Sequence, residues 1–375
     1  MAGIYIHVPF CARRCLYCAF YSTLRHEERQ RYTDCVCREL AQRANTLNGH
    51  EEYTIYLGGG TPSQLSLEQI ACILDSARSV CSGGRVVETT VECNPDDLTP
   101  SFASGLRDLG VDRISMGVQT FNDGLLSFLG RRHTADQATL AVRTCQDAGF
   151  RNISIDLMYG LPGQTLEIQK QDLETATSLN VQHISSYCLS FDEGSPLFRL
   201  RQQGKVEPAS DEMCRSMYFA MCSHLASHGF LHYEISNFSL PGFHSRHNSS
   251  YWNATAYMGV GAAAHSYDGR CRSWNPSDLS AYMSGIVHDS LCPEEETLTA
   301  ADRMNETVML SLRTLRGLDL SAFGTEFGQV QAERLKKEAA RFISAGRLTV
   351  KDNRMSIPEE YWFVSDDIIS SLFLS

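Results

Sequence analysis

Apolar residues along the first half of the chain follow two alternating patterns. Short runs rich in Ile, Val and Tyr occupy residues 4–8, 54–57, 86–92, 113–118, 153–158 and 183–189, as half-buried or buried strands do. Between them apolar positions return every three or four residues, the helical period. Ser66 with Gln69 reads as a capping box ahead of Leu67, Ile70, Ala71, Leu74 and Ala77. Thr99-Pro100 is an N-cap with proline in the first turn. Thr134 with Gln137 repeats the capping box ahead of Ala138, Ala141, Val142 and Cys145, and Gly110 and Gly149 stand where C-caps belong. Repeated strand–helix units imply an α/β fold with a parallel sheet and right-handed crossovers. Six units suit either an open, partial (β/α) barrel or a doubly wound sheet, and the pattern does not choose between them.

After about residue 200 the rhythm changes. A helix is expected over residues 210–227, then an irregular segment rich in aromatic residues, His and Gly over 232–275. From about Leu298 the pattern is helical again. It ends in a hairpin, residues 347–350 and 354–357 around Lys351-Asp352-Asn353, and a last helix, which together suggest a small winged-helix-like unit. That tail, from residue 295, carries thirteen acidic against ten basic residues, which disfavours DNA binding. No repeat beyond the strand–helix rhythm and no low-complexity tract is present.

Composition narrows the class. With 43% hydrophobic and 21% charged residues a packed core is expected rather than disorder. The net charge of −11 argues against a general nucleic-acid binder. No apolar run reaches membrane-spanning length. His7 interrupts the opening GIYIHVPF and the arginines follow it, so no secretory signal is expected and the protein is placed in the cytoplasm. Fourteen cysteines are many, but a chain of 375 residues needs no disulfide scaffold. In a reducing compartment most are small core residues.

Three cysteines differ. Cys11-x3-Cys15-x2-Cys18 follows the first expected strand, beside Arg13 and Arg14. Core thiols do not usually cluster in such a loop. Soft thiolates at this spacing suit zinc, completed by His7 or another ligand, or a [4Fe–4S] cluster. Three cysteines on a four-iron cluster leave one iron open for a substrate or cofactor. The run Tyr5-Ile6-His7-Val8-Pro9-Phe10-Cys11, with CxxxCxxC and Tyr17 ahead of the last Cys, resembles the radical S-adenosylmethionine (SAM) superfamily. Within it the match is to the oxygen-independent coproporphyrinogen III oxidase group. The resemblance implies a [4Fe–4S] cluster on Cys11, Cys15 and Cys18. Its open iron would chelate the amino and carboxylate groups of SAM and supply the electron that cleaves the sulfonium. It also implies a partial (β/α)6 radical-SAM barrel with a C-terminal helical, winged-helix-like extension.

Gly58-Gly59-Gly60-Thr61-Pro62 closes the second strand. Bare glycines let a ligand approach the backbone, and the motif resembles the family's site for the aminoacyl end of SAM. Glu92, with Asn94-Pro95, closes the third strand, Gln119 closes the fourth, Arg131 follows, and Asp156 lies in the fifth before Tyr159-Gly160-Leu161-Pro162-Gly163. Cys11, Gly59, Glu92, Gln119 and Asp156 thus share the C-terminal edge of a parallel sheet, where sites are built. The resemblance implies that Tyr5, Gly58, Gly59, Gly60, Thr61, Glu92, Gln119, Arg131 and Asp156 line the SAM pocket.

His247-Asn248-x2-Tyr251-Trp252 stands in the irregular segment. On its own it reads as a loop histidine with two packing aromatics. It also resembles the HNxxYW motif of the family's heme chaperone branch, which implies heme binding by His247, Asn248, Tyr251 and Trp252. Neutral imidazole suits heme iron and flat rings suit a macrocycle. His244 and His265, the latter ending Gly259-Val260-Gly261-Ala262-Ala263-Ala264-His265, are further candidate ligands.

Two departures from the oxidases point to the chaperone branch. Phe20 stands where they tend to carry a fourth cysteine, and the first strand begins almost at Met1 instead of after an N-terminal extension. Ala19 follows the third cysteine, where the chaperone branch often has Asp. The expected organisation is a SAM- and cluster-binding core over 1–209, a connecting region with HNxxYW over 210–295, and a C-terminal helical, winged-helix-like domain over 296–375. The expected function is heme binding and transfer to an acceptor protein. Cluster, SAM and heme are the cofactors, an electron donor is needed, nucleic acid plays no part, and membrane contact is transient where the acceptor is membrane-bound. The runner-up is oxidative decarboxylation in porphyrin biosynthesis, and a third reading is a zinc-stabilised (β/α) protein.

Overall fold

A computed structural model describes residues 1–81 and 83–374. Six parallel strands form its centre: β1 (Ala2–Val8), β2 (Glu52–Gly59), β3 (Arg85–Cys93), β4 (Arg113–Gln119), β5 (Ile153–Tyr159) and β6 (His183–Cys188). They lie side by side in chain order. That order decides between barrel and doubly wound sheet. With no reversal, right-handed crossovers place every helix on one face. The helices do pack as neighbours along that face: Arg29–Gln42 on Leu67–Val80, then Pro100–Asp108, then Ala135–Asp147. The sheet curls round its other face without closing, a partial barrel.

The period of two along the strands sets the two faces. Ile4, Ile6 and Val8 on β1, Ile55 and Leu57 on β2, Ile114, Met116 and Val118 on β4 and Ile153 and Ile155 on β5 are fully buried under the helices. The alternate positions face inward and are polar or aromatic: Tyr5 and His7, Thr54 and Tyr56, Glu88 and Glu92, Arg113 and Ser115, Asp156, and Ser185 and Tyr187. Both expected capping boxes form, at Ser66–Gln69 and Thr134–Gln137, and Thr99 caps its helix. Gly110 and Gly149 end their helices at φ 74° and 90°.

The segment over 232–275 is more regular than its composition suggests. It contributes β7 (Leu231–Glu234), β8 (Asn237–Ser239), β9 (Tyr257–Val260), β10 (His265–Tyr267) and β11 (Cys271–Trp274), and β12 (Glu294–Thr297) follows. β9 pairs parallel to β1, and β8 pairs antiparallel to β6, so the sheet grows to twelve strands from both sides. These strands have three or four residues each, too short to show a period. His247-Asn248-Ser249-Ser250-Tyr251-Trp252 is helical, within Arg246–Trp252, rather than a loop.

The tail is helical around a three-stranded sheet of β13 (Leu318–Asp319), β14 (Thr349–Lys351) and β15 (Arg354–Ser356). The β14–β15 hairpin turns on Asp352 and Asn353, both at positive φ (49° and 61°), as a two-residue hairpin turn requires. Among the described residues no helix is long and apolar enough to cross a membrane.

Candidate functional site

The loop after β1 carries the three thiols and is held by the rest of the fold. Its ends close on each other through Cys11 N–Thr23 O (3.0 Å) and Thr23 N–Pro9 O (2.7 Å). Its middle is tied to two distant segments through Leu16 N–Leu129 O (3.0 Å) and Leu197 N–Leu16 O (2.8 Å). Leu16 and Tyr17 pack on a satellite core of Leu125, Leu129, Met158, Leu161, Leu189 and Leu197. The apolar residues between the cysteines therefore anchor the loop and turn the sulfurs toward the cavity.

Cys11, Cys15 and Cys18 line a cavity of about 500 Å³ at the C-terminal ends of the parallel strands. Thr61 Oγ1 donates to Cys11 Sγ at 3.4 Å and Arg131 Nη1 to Cys15 Sγ at 3.3 Å. Burial pushes the Cys11 and Cys18 thiols up, so their ionisation needs a cationic centre to receive them. Tetrahedral zinc holds sulfur ligands about 3.8 Å apart, from Zn–S bonds of ~2.3 Å. The three sulfurs do not lie within 4.8 Å of one another. His7 is also spent: its Nδ1 bonds the Tyr5 hydroxyl (3.1 Å) and its Nε2 the Tyr21 carbonyl (3.1 Å). Burial lowers its imidazolium to about 4. A single zinc ion with His7 does not fit this set, whereas corner iron atoms of a cluster accommodate wider spacing.

The same cavity brings together Gly59, Gly60, Thr61, Glu92, Gln119, Arg131 and Asp156. The Glu92 carboxylate accepts from the Tyr56 hydroxyl (2.7 Å) and from Gly59 N (3.0 Å). Burial raises its pKa to about 7. Asp156 is raised to about 6, again by burial, against hydrogen bonds from Ser185 and Ser115. Both carboxylates are therefore poised between forms near neutrality. Gln119 sits at φ 73° where the β4–β5 register slips, a bulge that redirects the strand end. Arg131 donates through Nη2 to Asn94 Oδ1 and the Gly117 carbonyl. Its Nε is buried without a partner, an orphan donor in the wall of the site. Gly59 is required by its surroundings as well: at φ 105° a Cβ would stand 2.4 Å from the His7 ring.

Tyr5 and Gly58 lie behind this lining rather than in it. The Tyr5 ring faces Tyr56 (centroids 6.2 Å apart), and a Cβ on Gly58 would stand 2.9 Å from Glu92 Oε1. Ser115, Tyr187 and Cys188 also line the cavity and were missed in the sequence reading. Ser115 and Tyr187 were signalled only by standing at inward-facing places of their strands, and Cys188, next to Tyr187, had no such signal.

The HNSSYW helix is elsewhere. Its N-terminus is capped by Ser245 and by the Glu88 carboxylate, which accepts from Arg246 N and His247 N at 3.0 Å each. His247 is 1% exposed. Its Nδ1 meets Thr54 Oγ1 at 2.8 Å and its Nε2 meets the Tyr251 hydroxyl at 2.9 Å. Burial holds its pKa down at about 3. Gly3 and Thr54, its neighbours on β1 and β2, are near the N-terminal ends of strands whose C-terminal ends carry the thiol loop and the glycine run. One residue touches both places: the Tyr56 ring stacks on His247 (4.9 Å, 25°) while its hydroxyl reaches Glu92. Asn248, Tyr251 and Trp252 are half-buried, and His244 and His265 are exposed.

A thiol loop over the C-terminal edge of a partial barrel, with polar residues from successive strands, is the layout of the Radical SAM superfamily, whose sequence profile matches residues 5–175. The HemN C-terminal domain profile matches residues 298–364. The chain belongs to the HemW family within that superfamily. It is 35% identical over 333 residues to the protein named heme chaperone HemW of Bacillus subtilis (strain 168), covering 88% of each chain. It is 31% identical to the protein of that name of Mycobacterium tuberculosis (strain ATCC 25618 / H37Rv), covering 99% of this chain and 94% of the other. The fold matches coproporphyrinogen III oxidase (HemN) from Escherichia coli with a TM-score of 0.84 at 22% identity, over 99% of this chain and 90% of that one.

Proposed function

We propose that this protein is a cytosolic heme chaperone that carries a [4Fe–4S] cluster and exchangeable SAM, binds heme and passes it to an acceptor protein. The observation that carries this reading is the extent of the likeness: the relatives named heme chaperone in Bacillus subtilis and Mycobacterium tuberculosis match 88% and 99% of the chain. Cys11, Cys15 and Cys18 would hold the cluster, which supplies one-electron chemistry and an open iron for a chelating ligand.

The chain's own residues have chemically distinct tasks around that group. Thr61 and Arg131 donate to the sulfurs of Cys11 and Cys15, which stabilises thiolate charge. Ionised Glu92 and Asp156 would accept from sugar hydroxyls, and Gly59 and Gly60 would expose backbone to an ammonium group. The spare Nε of Arg131 is a donor for a carboxylate. Gly58 and Tyr5 would support this pocket from behind through Tyr56 and Glu92. The HNSSYW helix, with Asn248, Tyr251 and Trp252 on its surface, would take heme. Ligation by His247 requires its Nε2 to exchange the Tyr251 hydroxyl for iron.

Anaerobic reconstitution with iron and sulfide, followed by heme titration and a parallel coproporphyrinogen III assay, tests the reading. Saturable heme binding without decarboxylation is expected, and decarboxylated product would overturn it in favour of an oxidase. His247→Ala should weaken heme binding and leave the visible cluster spectrum intact. Unchanged heme affinity would move the ligand to His244 or His265.

A further inference from the structure

A second set of converging ligands lies away from the cavity. Cys222 comes from the helix Asp211–Ser227, His232 from β7 at the sheet edge, and Glu359 from the short 3-10 segment Glu359–Val364 of the tail. One donor atom from each lies within 4.8 Å of the other two. We propose that Cys222, His232 and Glu359 form a divalent-metal site, suited to Zn²⁺, that fastens the C-terminal unit to the edge of the sheet.

The hydrogen bonds around His232 turn its Nδ1 toward two other ligand atoms. Its Nε2 faces the Ile235 carbonyl at 3.3 Å, a group that can only accept, so Nε2 carries the ring proton. Nδ1 of the neutral ring is then a lone pair. It faces Glu359 Oε1 at 2.8 Å and Cys222 Sγ at 3.9 Å. That contact is met either by a proton on Nδ1, giving an ion pair with Glu359, or by a cation that takes the same three donors. A tetrahedral ion with ligand bonds of about 2.0–2.3 Å spaces its ligands roughly 3.3–3.8 Å apart, so the Cys222–His232 separation of 3.9 Å already suits it and the 2.8 Å His232–Glu359 contact would have to open slightly.

Three further observations agree. The ring is already fixed, stacked on Phe238 (4.0 Å, 13°) and edge-on to Trp362 (4.4 Å), and a backbone carbonyl on the far nitrogen is the usual support of a ligating histidine. A thiolate, a neutral imidazole and a carboxylate together neutralise a 2+ ion, which a largely buried site demands. The Tyr218 hydroxyl, on the same helix one turn before Cys222, bonds the Cys222 sulfur and favours its thiolate form. Glu359 is half exposed (51% of its side chain) and gives the ion a route in.

The test uses full-length protein, because the thiol loop would also take up zinc. The Cys11→Ser/Cys15→Ser/Cys18→Ser triple variant is loaded with Zn²⁺, freed of weakly held metal and analysed. About one zinc per chain is expected, with a thiolate-to-cobalt charge-transfer band when Co²⁺ replaces zinc. Adding Glu359→Gln or Cys222→Ser should weaken retention at least tenfold and abolish the band. In cluster-reconstituted wild type, Zn²⁺ should raise the melting temperature, and Glu359→Gln, a change at a half-exposed side chain, should remove that rise. Failure of the triple variant to hold zinc, or retention unaffected by both substitutions, would overturn the proposal and leave a plain imidazolium–carboxylate pair.

Discussion

His247 separates two kinds of histidine, a buried structural one and an available ligand, and its pH response tells them apart. In His247→Gln the Thr54 and Tyr251 hydroxyls lose their geometry and Tyr56 loses a stacked ring. Two neutral hydrogen bonds at about 1 kcal/mol each and an aromatic contact of roughly 1 kcal/mol make the deficit about 3 kcal/mol at pH 8. Burial holds the folded pKa at about 3, against ~6.5 in the unfolded chain. The folded value is depressed, so the stability His247 contributes is fully present above pH 6.5. It is lost as pH falls from there toward 3, because only the unfolded chain takes up the proton. The loss is about 1.4 kcal/mol per pH unit, or about 2 kcal/mol by pH 5. Glutamine does not titrate, so the variant's deficit should shrink from about 3 to about 1 kcal/mol between pH 8 and pH 5. Urea unfolding at pH 8, 6.5 and 5, in the background lacking the three loop cysteines, measures it. A deficit independent of pH, or one below about 1 kcal/mol at pH 8, would refute the buried, neutral, doubly bonded imidazole.

Three other outcomes are expected. Cys15→Ser should eliminate iron and sulfide on reconstitution yet leave the circular dichroism of the apoprotein unchanged, since backbone bonds to Leu129 and Leu197 hold the loop; full cluster occupancy would contradict the ligand assignment. SAM affinity should fall about tenfold from pH 8 to pH 6 as Glu92, with its pKa near 7, takes up a proton, and Glu92→Gln should flatten that profile in a binding titration. Gly59→Ala should lower the melting temperature sharply, at a cost of about 2–3 kcal/mol or more for positive φ and a clash with the His7 ring; an unchanged melting temperature would show that the turn can move.

The first six strands were readable because each is long enough to show its period, and several are followed by an explicit helix start. Ser66, Thr99 and Thr134 cap their helices as their spacing suggests. The thiols, glycines and strand-end carboxylates were readable because their chemistry is carried by residue type at close spacing. Beyond residue 230 strands of three or four residues give no period, and their partners β1 and β6 are far away in the chain. Ser245 caps the HNSSYW helix locally, but its first two backbone donors are met by Glu88, 158 residues before Arg246, which no local pattern contains. Cys222, His232 and Glu359 meet only because the tail folds back over β7. Phe20 is 74% exposed on the thiol loop, and nothing in the structure explains its exposure.

The two faces of Tyr56 give the molecule a thermodynamic property that neither motif has alone. A ligand that draws Glu92 toward itself must break or retain the Tyr56 hydrogen bond, and the same ring is the floor on which His247 rests. An occupant of the cavity and an occupant of the HNSSYW helix, as proposed above, would therefore act on one shared side chain. To the extent that either shifts it, linkage obliges the other to respond by an equal factor in affinity. Loading at one end of the barrel and release at the other would then be two readings of a single equilibrium.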